Sequence, residues 1–252
     1  MADYTIAEDY VLPSEGLIYS KPVNPHVRLR SMTVRDEMKR LSQTDTPYKQ
    51  LAEIIENCML EKPAVSVYDM ALGDYDYLLH KLRITTYGPK YKMSVMCPHC
   101  GNFYETEINL DELKVIPFDK EKFDQTSSFV LPVSGKNVSI KFQTPRMLDT
   151  MEIKAKEFKR KNKNVTVDPT PLIQLEGLIE TVDGKVLSYN ELQTFINNLS
   201  AADFNYIIQK SAKLNNLIGL NTEVDVVCDK CGGDISTYFR GGQEFFRPSI
   251  SD

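Results

Sequence analysis

The chain has 252 residues, 42% hydrophobic and 26% charged, with a formal net charge of −5. That suits one large domain or two small ones with a real core, and the negative balance argues against wholesale wrapping of nucleic acid. No run stays apolar for the ~18 residues a membrane helix needs. The acidic start "MADYTIAEDYVLPSEG" has no apolar core and does not read as a signal peptide. Five cysteines without such a signal fit a reducing compartment better than a disulfide framework.

In chain order, an extended lead-in brings the chain to a predicted strand at Val27 to Met32. A helix follows with Thr33 as its N-cap. A second helix carries apolar residues at 51, 54, 55, 58 and 59, the spacing of one helical face. Cys58 lies on that face and reads as a small buried hydrophobe. A third helix starts near Asp74 and ends near Gly88, a good C-cap residue. Two short strands then flank "CPHCG" at 97–101. Residues 111–128 read as a connector.

The same plan then returns. A strand is expected at Val138 to Gln143, then a helix with Thr144 as N-cap and Pro145 in the first helical position. The basic stretch "EFKRKNKNVTVD" (157–168) lacks apolar periodicity and reads as a loop or a frayed helix end. An extra helix fits "SYNELQTFINNL", where Ser188 and Glu191 form a capping box. Another runs from near Asp203 to near Gly219, and "CDKCG" follows at 228–232.

Five stretches recur in the same order. "VLPSEG" (11–16) pairs with "VLPVSG" (130–135), and "VRLRSMTVR" (27–35) with "VSIKFQTPR" (138–146). "TPYKQLAEIIE" (46–56) pairs with "TPLIQLEGLIE" (170–180), "GDYDYLLHK" (73–81) with "ADFNYIIQK" (202–210), and the first knuckle with the second. Five matches in register point to an internal duplication. The expected fold is α+β in two similar halves. Residues 1–110 hold the first half with its knuckle, 129–240 the second, and 241–252 a C-terminal arm.

"CPHC" admits two chemistries. A redox pair needs its first cysteine at a helix N-terminus, where the dipole lowers the thiol pKa. Here the motif sits between strand-like runs, and a glycine follows each second cysteine, as in a metal knuckle. Two CxxC pairs supply the four thiolates of a closed zinc site. The expectation is one structural zinc shared by Cys97, Cys100, Cys228 and Cys231. The 127 residues between the pairs are then explained by one knuckle per half. His99 has Lys230 as its counterpart and reads as a solvated turn residue; His26 and His80 lack any matching acid–nucleophile setting.

No phosphate loop, dinucleotide fingerprint, HExxH or nucleophile elbow occurs, so no catalytic residue is assigned. In the ending "FRGGQEFFRPSISD", Phe245, Phe246 and Arg247 read either as an arm that anchors in a neighbouring subunit or as rings folded back on their own core.

Together, "LPSEGLIY", "VRLRSMTVRDEM", "LRITTYGPKYKMSVMCPHCG", the second "CDKCG" and the closing "FFRP" resemble the baseplate hub subunit and hub assembly proteins of T-even-type and other contractile-tailed bacteriophages. The resemblance covers most of the chain. It implies a non-enzymatic component of the tail baseplate, made in the host bacterial cytoplasm and docking with other baseplate and tail proteins. A zinc-ribbon nucleic-acid-binding protein and a CPHC thiol oxidoreductase are the alternatives.

Overall fold

The computed structural model describes residues 6–163, 168–239 and 243–246. The fold is α+β, with eight α-helices and small antiparallel sheets of two or three strands among the described residues.

β1 (Ala7–Val11) pairs antiparallel with β2 (His26–Arg30). α1 (Val34–Leu41) starts at Thr33, which forms a capping box with Asp36. α2 (Pro47–Cys58) buries Ile54, Ile55 and Cys58 of its predicted face, and Ala52 as well, while Leu51 is only half-buried. Burial pushes the Cys58 thiol up to about 12, the behaviour of an inert core residue. α3 (Leu72–Tyr87) ends on Gly88, whose φ of 82° suits glycine. β3 (Lys90–Met96) and β4 (Phe103–Asn109) form the first hairpin.

The connector is more structured than its sequence suggested. It holds β5 (Val115–Ile116) and α4 (Lys120–Ser127), capped by Asp119. β6 (Ser128–Val130) and β7 (Asn137–Ile140) follow, then α5 (Pro145–Lys161) behind its Thr144 cap. α5 absorbs Glu157 to Lys161, so the first part of the basic stretch is a helix end rather than a loop. Lys159, Arg160 and Lys161 lie in its last turn, where cations suit the helix dipole.

α6 (Thr170–Leu178) leads into β8 (Ile179–Val182), which completes a sheet of order β6-β7-β8. α7 (Tyr189–Asn197) has the expected Ser188–Glu191 capping box. α8 (Ala201–Asn215) stops short of Gly219. That glycine stands instead in β9 (Gly219–Leu220), paired with β5. β10 (Glu223–Val227) and β11 (Asp234–Tyr238) form the second hairpin.

Apolar burial divides into three cores. One gathers Leu12, Leu29, Ile54, Ile55 and Leu78 from the first half. A second gathers Leu131, Val138, Ile140, Leu175 and Ile207 from the other. The third is shared: Val95 and Ile108 of one hairpin pack with Val226 and Ile235 of the other, together with Ile84, Phe239, Phe245 and Phe246.

Matching positions make matching contacts. Asp74 accepts the Ser14 N–H and Asp203 accepts the Val133 N–H. Tyr10 meets Tyr77 edge-on and Phe129 meets Tyr206 edge-on. Lys81 lies over the first ring pair and Lys210 over the second. Met32 N–H bonds the Thr86 hydroxyl, and Gln143 N–H the Asn215 side chain.

The halves are also tied directly. Asp149 of α5 accepts the N–H groups of Tyr48 and Lys49 in the first turn of α2. Arg146 forms a two-point ion pair with Asp69.

Candidate metal centre

Each hairpin ends in a knuckle that its own backbone closes. Cys97 N–H donates to Asn102 O and Gly101 N–H to Cys97 O, at 2.8 and 2.9 Å. Cys228 N–H donates to Gly233 O and Gly232 N–H to Cys228 O, at 3.0 and 2.9 Å. Gly101 and Gly232 take φ of 69° and 68°, a left-handed turn that a side chain would strain.

The knuckles meet. Cys97 Sγ lies 3.7 Å from Cys231 Sγ, and Cys100 Sγ lies 3.7 Å from Cys228 Sγ. All four sulfurs fall within 4.8 Å of one another. A disulfide would need about 2.05 Å. A tetrahedral zinc with Zn–S of about 2.3 Å sets its sulfurs about 3.8 Å apart, so the two close pairs already have the edge length of such a site. Donor type, number and spacing therefore fit a four-thiolate metal ion.

Cys97 and Cys228 are buried while Cys100 and Cys231 are exposed, so each knuckle offers one inner and one outer ligand. Main-chain N–H groups support the sulfurs, and donation from Cys231 N–H draws the Cys228 thiol down to about 6.

Contacts around the sulfurs run from one hairpin to the other. Asn102 donates to Asp229 at 2.6 Å and the Tyr104 hydroxyl to Val227 O at 2.9 Å. His99 is an exposed turn residue, as expected from sequence, and it also reaches the other hairpin. Its Nε2 donates to Asp234 O at 3.1 Å. Gly233 leaves room for that ring, since a Cβ there would approach His99 Cδ2 to 2.8 Å.

Phe245 and Phe246 of the arm point inward. Phe245 and Phe246 are 2% and 5% exposed, in the core beneath the hairpins. Phe245 packs on His80, Tyr91 and Phe239. Arg83, fully buried on α3, donates Nε to Phe245 O at 3.2 Å and Nη2 to Lys90 O at 2.9 Å. Placed this way, the two rings pack in this chain's own core, the second of the two readings that the sequence allowed. Two large apolar rings gain more from that dry site than from an exposed arm. Arg247 lies outside the described residues.

A comparison with known protein families matches the chain over residues 7–247 to the T4 bacteriophage base plate protein family. The chain belongs to that family. Nothing among the curated proteins or the solved structures matches it. Membership in the base plate family gives the chain a structural role in the phage baseplate and tail proteins as its partners. No helix among the described residues is long and apolar enough to cross a membrane.

Sequence reading found all four cysteines because their spacing is itself a motif. It missed the polar face of α3, where Tyr75, Asp76 and His80 line a cavity of about 1580 Å³. Their spacing matches an ordinary helix face, and nothing local marks them as unpartnered.

Proposed function

We propose that this base plate family member acts in the hub region by docking, as a structural or assembly component without catalysis, and that one zinc ion clasps its two hairpins. The observation that carries the reading is the convergence of four cysteine sulfurs from knuckles at residues 97–101 and 228–232 within 4.8 Å. A closed four-sulfur site keeps no open coordination position for substrate or water, so its contribution is rigidity.

The paired contacts of Asp74 and Asp203, and of Lys81 and Lys210, support an internal duplication, with the two halves related by a pseudo-twofold axis through the zinc. A clasp that fixes the halves relative to each other lets their outer faces meet different baseplate proteins with little ordering cost. We place the chain in the host cytoplasm during assembly and in the virion tail thereafter.

The redox alternative is disfavoured because Cys97 follows a strand rather than opening a helix. The nucleic-acid alternative is disfavoured because Lys90 is ion-paired with Glu107 at 3.0 Å on the same hairpin face.

The decisive experiment joins metal analysis of reduced protein with a phage carrying Cys100→Ser. One zinc per chain, faster amide exchange in both hairpins and defective baseplates are expected. Two metals or none would remove the clasp. Intact infectious tails assembled without this protein would remove the baseplate role.

A further inference from the structure

Helix α1 is built inside out. Of its eight residues only Asp36 is buried, where Arg30 donates to it at 2.9 Å and the Thr33 hydroxyl at 2.8 Å. Three more of its charges are also engaged: Arg40 donates to Glu37 at 3.0 Å, and Lys39 pairs with Glu53 of α2 at 2.8 Å. All three apolar side chains face solvent instead. Val34, Met38 and Leu41 are 78%, 68% and 68% exposed, at the i, i+4, i+7 spacing of one continuous stripe. A helix that serves only its own fold turns such a stripe to the core.

The echoing helix of the other half has the ordinary arrangement. α5 follows Thr144 as α1 follows Thr33. In the place of Met38 it has Asp149, buried and bonded to the first turn of α2, and in the place of Leu41 the exposed Glu152. Pro145, in the place of Val34, is buried, and Met147, Leu148 and Met151 are each partly covered. Matching helices thus cover their hydrocarbon in one half and expose it in the other. Surface apolar residues scattered singly need no explanation, but three in register on one helix form a patch.

We propose that α1 is the anchor by which this chain seats in an apolar groove with an acidic rim on another baseplate protein. The stripe is convex and has the i, i+4, i+7 anchors of a helix laid into a groove, and unbranched Met38 at its centre adapts to an irregular wall. Charge sets the rim. Arg35, exposed beside Val34, makes no hydrogen bond or ion pair among the described residues. Residues 26–41 carry five basic side chains against two acidic ones, a net of +3 in a chain of −5. A carboxylate on the rim gives Arg35 a charge-assisted contact, while a basic rim would be repelled. A second copy meeting stripe to stripe is the poorer occupant, because ridges about 12 Å long cannot bury the ~800 Å² per partner of a standard interface. The inference rests on the reading of the chain as a docking component, and names the surface that docks.

The test places photoreactive benzoyl-phenylalanine at position 34 of the full chain during phage infection, and mass spectrometry identifies the peptide linked to it in assembled baseplates. A link to a different baseplate protein, at an apolar site bordered by Asp or Glu, is expected. No link, a link to a second copy of this chain, or a link to a site without carboxylates would overturn the proposal. In parallel, Met38→Glu and Arg35→Glu should each lower incorporation into baseplates by about tenfold or more, as on losing an interface anchor, while the purified chains melt like the wild type and keep the same metal content. Arg35→Lys should retain most incorporation. Val186→Glu is the control, at a valine 81% exposed elsewhere, and should incorporate normally. Normal incorporation of Met38→Glu would also overturn the proposal. A phage lacking the chain keeps the two readings apart. Intact tails from that phage would remove the docking role itself, whereas failed tails there beside normal ones with Met38→Glu would remove only this surface.

Discussion

Asp74 accepts the backbone N–H of Ser14 at 3.0 Å, across sixty residues of sequence. In the other half Asp203 accepts the Val133 N–H at 2.9 Å and that of Ser134 at 3.1 Å. Both carboxylates sit in the first turn of a helix, buried, and each pins the loop after a buried leucine, Leu12 or Leu131. Asp74 carries more partners, since Tyr19 donates to it at 2.5 Å and the Ser14 hydroxyl donates as well.

Removing the Asp74 carboxylate strands the N–H of the buried Ser14, at about 1–3 kcal/mol, whereas Val133 and Ser134 are exposed and their N–H groups can turn to water. Asp74→Ala should therefore lower stability by about that much, and Asp203→Ala by less. Urea unfolding gives the magnitudes. Hydrogen exchange gives the place: residues 133–134 should open first in one variant, residue 14 in the other.

A second prediction concerns where the halves touch. A Cβ on Gly73 would come within 2.5 Å of the Ile218 carbonyl oxygen, and one on Gly219 within 3.1 Å of Gly73 Cα. Gly73→Ala puts a methyl into backbone, which cannot rotate away. It should cost about 1–3 kcal/mol by overpacking, despite alanine's better helix propensity. Gly177→Ala is the control, because its nearest neighbour is the flexible Met147 side chain at 3.4 Å. Thermal melting should fall clearly for the first and little for the second.

These contacts show why some of the fold was legible and some was not. Thr33, Thr144 and Ser188 announce helix starts because capping is local chemistry that needs only a few residues in order. The cysteines are legible for the same reason. Gly219 misled: glycine near the end of a helical pattern suggests a C-cap, but its φ of 120° and lack of a side chain serve the crossing with Gly73. The pairing of β5 with β9 joins segments over a hundred residues apart and leaves no periodic trace in two-residue strands. The unpartnered face of α3 was invisible because a missing hydrogen bond is a property of the packed structure, not of residue order.

The same face predicts how stability follows pH. Burial raises Asp76 to about 7, so its protonated form suits the fold. Its contribution is present at low pH and is lost as pH rises through about 7. Burial lowers His80 to about 4, so its contribution is lost as pH falls from the ordinary histidine range toward that value. Tyr75 and Tyr48 stand near Asp76, and Lys81 and Arg83 near His80. Between pH 8 and about 6.5 only Asp76 of this pair titrates in the folded chain, and the wild type should gain stability on acidification. Asp76→Asn should flatten that rise, and His80→Gln should soften the loss at lower pH. Melting temperatures across pH 4–8 for the three proteins decide it.

The last prediction concerns the C-terminal rings. Phe245 and Phe246 meet edge-on, with centroids 5.2 Å apart, in the core that also holds Val95, Cys97, Val226 and Cys228. Arg83 ties the same segment to the end of α3 and the start of β3. Replacing both rings by alanine opens a cavity directly beneath the hairpins, and a buried phenylalanine truncated to alanine costs about 3–5 kcal/mol. The monomer itself should melt earlier, and amide exchange should quicken in both hairpins, since they share that core. A double alanine variant that melts like the wild type but fails to join its baseplate partners would mean the opposite: that the rings leave this core to anchor in a neighbour. Melting, hairpin exchange and partner binding measured on the same variant separate the two, because a core role moves the first two in isolated protein and an anchoring role moves only the third.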